Sequence, residues 1–186
     1  MGRTLYQRGS SPECRAARWV LERKGLDYTA VEAVEAVVDG LRQRHDAAEL
    51  PLLEDGGAAV AGLRAMVSYL ERSYGSPSVF PADPQKRNQA VTLAEFAEGA
   101  LGEIIRRLGG ESSGREAALA ELRALLGQVR EAIARRALDS GARHLGDLAV
   151  AAELVSCGEI PELEFDQDYA DLSAYVARVR AGLGGG

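Results

Sequence analysis

The residues of this chain best suited to chemistry stand together at Ser10-Ser11-Pro12-Glu13-Cys14. Two hydroxyls and a thiol fall where a short strand-like run, Thr4-Leu5-Tyr6, passes into an amphipathic stretch beginning at Pro12. Ser before Pro is a helix-start pattern. Ser11 reads as the N-cap and Pro12 as the first helical residue, where its missing N–H is no loss and its fixed φ suits the helix. Cys14 then lies in the first turn. Backbone N–H groups left unpaired at a helix start carry partial positive charge, and a hydroxyl beside them can donate to an anion. The chemistry this arrangement supports is stabilisation of a thiolate, the chain's own or one brought by a ligand. Ser11 is the leading candidate donor, with Ser10 its neighbouring substitute. The alternative for Ser11 is a cap alone, accepting a backbone N–H. Cys14 reads either as a small apolar residue packed inward or, if its sulfur reaches solvent, as a thiol able to form a mixed disulfide.

Positioning these groups requires a strand before them and a sheet around them, and the first third of the chain carries both signals. Tyr28 to Val34 is rich in β-branched residues, Val37 to His45 reads as a helix, and Leu52-Leu53 and Ala58 to Val60 flank the hairpin signal Asp55-Gly56-Gly57. A further helix over Gly62 to Ser73 places Leu63, Met66, Val67 and Leu70 on one face. This order, βαβαββα, predicts a thioredoxin-like domain over residues 1–75. A Ser, Gly and Pro-rich stretch predicts a linker at 76–83. From Pro84 onward only helical periodicity remains, as in Leu119, Leu122, Leu126, Val129 and Ile133, so residues 84–186 are expected to form an all-helical domain.

Composition narrows the function classes. The 186 residues carry a formal net charge of −6, without a basic cluster, which argues against a nucleic-acid surface. No apolar run approaches the roughly 18 residues of a membrane span, and the first residues lack the order of a secretory signal, so a cytoplasmic protein is expected. Two cysteines and two histidines, far apart in sequence, offer no metal cluster. Six carboxylates between Glu159 and Asp171 have no basic residue among them, most simply a solvated loop, with an interaction face for a basic partner the lesser alternative.

The junction at Ser11 and Cys14, the stretch Leu50-Pro51-Leu52-Leu53-Glu54-Asp55-Gly56-Gly57, and the downstream segments Leu145-Gly146-Asp147-Leu148-Ala149 and Leu172-Ser173-Ala174-Tyr175-Val176 together resemble the cytosolic glutathione transferases. The likeness covers nearly the whole chain. It implies the two-domain fold just described, with glutathione as co-substrate and a homodimer as assembly. Under it, Ser11 governs the glutathione sulfur, with Ser10 and Cys14 as alternatives. It also implies a cis bond before Pro51, the backbone of Leu50 pairing with the cysteinyl part of glutathione, and Gly62 and Leu63 at the γ-glutamyl end. There the family carries Glu or Gln followed by Ser, whose side chains neither Gly62 nor Leu63 can replace. Tyr6, out of register with the family's tyrosine hydroxyl, is assigned to packing, and His144 to capping a helix in place of Ser or Thr.

The resemblance therefore implies transfer of the glutathione thiol to a small electrophile. The alternative is a non-catalytic module of the same fold that binds a protein partner, as in the stringent starvation protein branch, with glutathione binding weakened or lost.

Overall fold

The alternating pattern of the first third folds as a four-stranded mixed sheet made of β1 (Thr4–Gln7), β2 (Thr29–Glu32), β3 (Leu52–Asp55) and β4 (Ala58–Ala61), in the order β2-β1-β3-β4. β1 is parallel to β2, with Tyr6 opposite Val31, and antiparallel to β3, with Tyr6 opposite Leu52. A parallel pair needs a crossover, and α1 (Pro12–Arg23) supplies it. α2 (Glu35–His45) leads on to β3, and the β3–β4 hairpin turns at Gly56 and Gly57, both at positive φ. α3 (Leu63–Ser73) completes the βαβαββα order of a thioredoxin-like unit.

The computed structural model describes residues 2–45, 49–110, 114–141 and 143–183. They form two compact units, one ending at Val79 and one spanning Phe80–Leu183.

In the first unit, strand alternation puts Leu5, Leu53 and Asp55 on one face of the sheet and Tyr6, Leu52 and Glu54 on the other. On the first face Leu5 and Leu53 are wholly buried, and Asp55 accepts from the hydroxyls of Tyr74 at 2.7 Å and Tyr69 at 3.2 Å. On the second face Glu54 meets the last turn of α2. Its carboxylate lies 2.7 Å from His45 Nε2 and accepts from the Tyr6 hydroxyl at 3.0 Å. Tyr6 is thus fixed on the α2 side of the sheet. α2 itself buries only Val38 and Leu41, so this polar contact is a substantial part of what holds its end.

A second polar knot joins α1, α3 and the chain beyond them. Lys24, buried at the end of α1, donates to Glu71 of α3 at 2.8 Å and to the Pro77 carbonyl at 2.9 Å. Glu71 also accepts from Ser78 Oγ at 2.6 Å and the Val79 N–H at 3.0 Å. Residues 77–79 are therefore fastened to the first unit, next to a cis bond at Ser76–Pro77.

The second unit is helical: α4 (Pro84–Phe96), a π-helical turn (Ala97–Leu101), α5 (Gly102–Gly109), α6 (Arg115–Ala134), α7 (Leu145–Cys157), α8 (Phe165–Asp168) and α9 (Ala170–Ala181). α7 is its centre, packed by α4 and α9, with every residue but Val155 buried. His144 caps α7 as expected. Its Nδ1 accepts the Asp147 N–H at 3.3 Å while Asp147 accepts the His144 N–H, forming a reciprocal capping box. The fully buried Asp147 also accepts the Asp139 N–H at 2.8 Å and the Tyr175 hydroxyl at 3.0 Å.

Two features depart from the sequence reading. Periodicity gives no hint of the π-helical turn, which passes directly into Gly102. A Cβ on Gly102 would stand 2.8 Å from Glu153 Oε1 and 3.0 Å from the Ala97 carbonyl, so a larger residue would crowd both. The acidic stretch from Glu159 is also more than a solvated loop. It buries Ile160, Leu163, Phe165 and Tyr169, and two of its carboxylates are held by α6, through Arg115 to Glu162 at 2.6 Å and Arg130 to Asp171 at 2.7 Å.

Two outcomes follow from the polar contacts of the first unit. Glu71→Ala leaves the Lys24 ammonium buried without its carboxylate, and is expected to lower stability by about 3 kcal/mol in urea denaturation. His45 first, then Tyr6 and Arg44, hold the Glu54 carboxyl below its usual range against the opposing effect of burial. A lowered folded-state value stabilises the fold above the ordinary carboxylate range and is lost as pH falls through it. Glu54→Gln should therefore flatten the acid limb of a stability-against-pH curve and leave a shallower loss below pH ~4.

Candidate functional site

The junction between β1 and α1 is built around one turn. Ser11 N–H donates to the Arg8 carbonyl at 3.0 Å, closing a β-turn over Gly9 and Ser10. Ser11 has the extended backbone of an N-cap, and its Oγ accepts the Cys14 N–H at 3.3 Å. Capping and thiolate stabilisation use opposite ends of a hydroxyl: the cap engages an oxygen lone pair and leaves the proton to donate. The two readings of Ser11 are thus compatible in one geometry. Ser10 is exposed at the corner of the turn.

Cys14 is wholly buried and accepts the Arg8 N–H at 3.4 Å, so its sulfur belongs to the interior of the unit. Cys157 is buried too, and that burial, with Glu153 nearby, pushes its thiol up to about 12. Neither sulfur has the exposure a mixed disulfide requires.

The chain enters β3 through a cis bond at Leu50–Pro51. Leu50 is half-buried, and its peptide groups have no hydrogen-bond partner among the described residues. The Pro51 carbonyl accepts the Gly62 N–H at 2.8 Å, tying the start of α3 to this bend. Gly62 is the N-cap of α3, with φ of 81° and no side chain to cap with, and Leu63 behind it is buried. The space a side chain would fill at Gly62 is taken by Glu49, whose Oε1 lies 2.8 Å from the position of a Cβ. The first turn of α3 holds no acidic residue of its own, and a carboxylate from elsewhere in the chain stands beside it.

Of the residues predicted for the site, Ser11 stands at the start of α1, Leu50 and Pro51 form the bend before β3, and Gly62, joined to Pro51 by its N–H, leads into α3 at Leu63. Three residues about the site escape sequence reasoning. Glu49 is one. Glu32 and Arg18, which grip the Gly9 peptide from two sides, are the others. Glu32 could have been found by setting the two parallel strands in register, since it falls opposite Gln7. A cavity of about 320 Å³ lies at the hairpin end of the sheet, lined by Thr4, His45, Glu54 and residues 56–59, at the opposite end of β1 from Ser11. No group of three or more His, Cys, Asp or Glu side chains able to hold a metal occurs among the described residues, and no helix there is long and apolar enough to cross a membrane.

Residues 5–78 match the family model of the glutathione S-transferase N-terminal domain. No curated protein matches the sequence. Among solved structures, a glutathione S-transferase from Rhodospirillum rubrum F11 superposes with a TM-score of 0.78 at 23% identity, over 96% of this chain and 88% of that one. A theta-class glutathione S-transferase from Xanthomonas axonopodis pv. citri, with glutathione bound, gives 0.76 at 24% identity, over 98% and 95%. The nitrogen regulation fragment of the yeast prion protein Ure2p gives 0.82 at 18% identity, over 100% and 97%. Likenesses at this identity show the fold across both units, and the family model adds that residues 5–78 form a domain similar to the glutathione S-transferase N-terminal domain.

Proposed function

We propose that the protein binds the glutathione thiolate at the start of α1 and transfers it to a small electrophile. The observation that carries this reading is the Ser11 hydroxyl, which accepts the Cys14 N–H and keeps its proton to donate at a positively polarised helix start. Leu50 would pair its peptide groups, which have no partner among the described residues, with the cysteinyl part of glutathione, as one more rung beyond the end of β3. In the reaction, the thiol loses its proton to solvent and the thiolate forms a sulfur–carbon bond to the electrophile. The displaced electron pair leaves with the departing group or is protonated by water. Cys14, buried, has no part in this step.

The γ-glutamyl end is the weaker half of the site. Gly62 uses its N–H on Pro51, Leu63 is apolar, and the Glu49 carboxylate at the start of α3 would oppose a ligand carboxylate. A glutamate placed at Gly62 would have to adopt a φ of 81° and displace Glu49, so the usual side chain is not restored by one substitution. These features favour the second reading, a binding module for a protein partner with weakened glutathione affinity. The fold similarity to Ure2p is consistent with either reading. One structure of that protein holds glutathione, and another is described as a nitrogen regulation fragment. We also propose a cytoplasmic homodimer, on the pattern of the family.

If the protein is a transferase, Ser11→Ala should lower turnover with glutathione by roughly ten- to a hundredfold, the loss of one hydrogen bond to an anion. It should also cost about 0.5–2 kcal/mol of stability through the lost cap. A binding module would show the stability loss alone, with no turnover to lose. Light scattering at micromolar concentration is expected to give twice the chain mass, and the single-chain mass would refute the dimer.

A further inference from the structure

We propose that Glu32 is a positioning residue for Ser11, its carboxylate fixing the Gly9 peptide and, through the turn it anchors, the hydroxyl at the start of α1. The proposal rests on the reading of Ser11 as the thiolate donor. Parallel register sets Glu32, the last residue of β2, opposite Gln7, the last residue of β1. Its side chain reaches the following turn, where its two carboxylate oxygens accept the Gly9 N–H at 3.0 and 3.1 Å. From α1, Arg18 donates to Gln7 Oε1 at 2.5 Å and to the Gly9 carbonyl at 3.4 Å. Gly9 is therefore held at both its N–H and its C=O, and the β-turn it occupies closes on the Ser11 N–H.

Ser11 is set by that turn in front of it and by α1 behind it, through the Cys14 N–H on its Oγ at 3.3 Å and the Arg15 N–H on its carbonyl at 2.9 Å. A hydrogen bond to an anion weakens steeply once the donor leaves its line, so the grip on Gly9 bears on the sulfur. A glycine at the corner of a turn is otherwise the freest residue of the junction. Glu32 lies on an edge strand and is exposed, so it can be replaced without opening the core.

The test is a double-mutant cycle of Glu32→Ala with Ser11→Ala, beside Glu32→Gln, read by the pKa of bound glutathione from thiolate ultraviolet absorbance and by kcat. Glu32→Ala is expected to raise the bound-thiol pKa and lower kcat about tenfold, and to add nothing in the Ser11→Ala background. Glu32→Gln, whose amide oxygen still accepts the Gly9 N–H, should stay within about twofold of wild type. Wild-type thiol pKa and kcat in Glu32→Ala, or equal losses in both backgrounds, would overturn the positioning role while leaving Ser11 in place. An unchanged thiol pKa in Ser11→Ala, or no glutathione bound by wild type, would remove the reading of the site and this proposal with it.

Discussion

The hydrogen bond from the Cys14 N–H to Ser11 Oγ organises the part of the molecule that can handle sulfur. It starts α1 at a fixed residue, while the cysteine lies inward, where Sγ takes the Arg8 N–H, and the Ser11 hydroxyl stands at the helix start with Glu13 in the same first turn. Several elements of the first unit bear on the placement of that start. β1 brings the chain to it, the Arg8–Ser11 turn reverses the chain, and the crossover of α1 returns it to β2. The clamp of Lys24 on Glu71 and Pro77 then fixes the far end of the same helix.

The opposite side of the site is organised differently. The bend at Leu50–Pro51 and the start of α3 are locked together by the bond from Gly62 N–H to the Pro51 carbonyl. Gly62, the buried Leu63 and the Glu49 carboxylate stand where, on the proposed reading, the amino-acid end of the ligand would lie. On the proposed reading, a conventional sulfur half beside an altered γ-glutamyl half fits either a transferase with relaxed demands at that end or a binding module. The chemistry of the sulfur half distinguishes the two.

Local pattern made most of this architecture legible. Period-two and period-3.6 runs gave the βαβαββα order and the helical second unit, and Ser-Pro and His144-x-x-Asp147 marked helix starts that the structure bears out. What escaped depends on residues distant in sequence. At the end of the π-helical turn, Gly102 leaves room for Glu153 of another helix. The acidic stretch is held by the burial of Ile160, Leu163, Phe165 and Tyr169 and is reached by Arg115 and Arg130 of α6, and its apolar residues are too irregularly spaced to betray a helix. Around the candidate site, the capped start of α1 and the bend before β3 could be read directly. Glu32 and Glu49 could not, since each acts across a strand pair or a loop with no periodic trace.

The central claim is that this protein holds glutathione as a thiolate. Calorimetric titration of the wild-type protein with glutathione near pH 7, repeated in buffers of different ionisation enthalpy, counts the protons released on binding. A free thiol is mostly protonated there, with an ordinary pKa of about 8.5. The account predicts release approaching one proton per glutathione bound. Binding without proton release, or no binding at all, would contradict it.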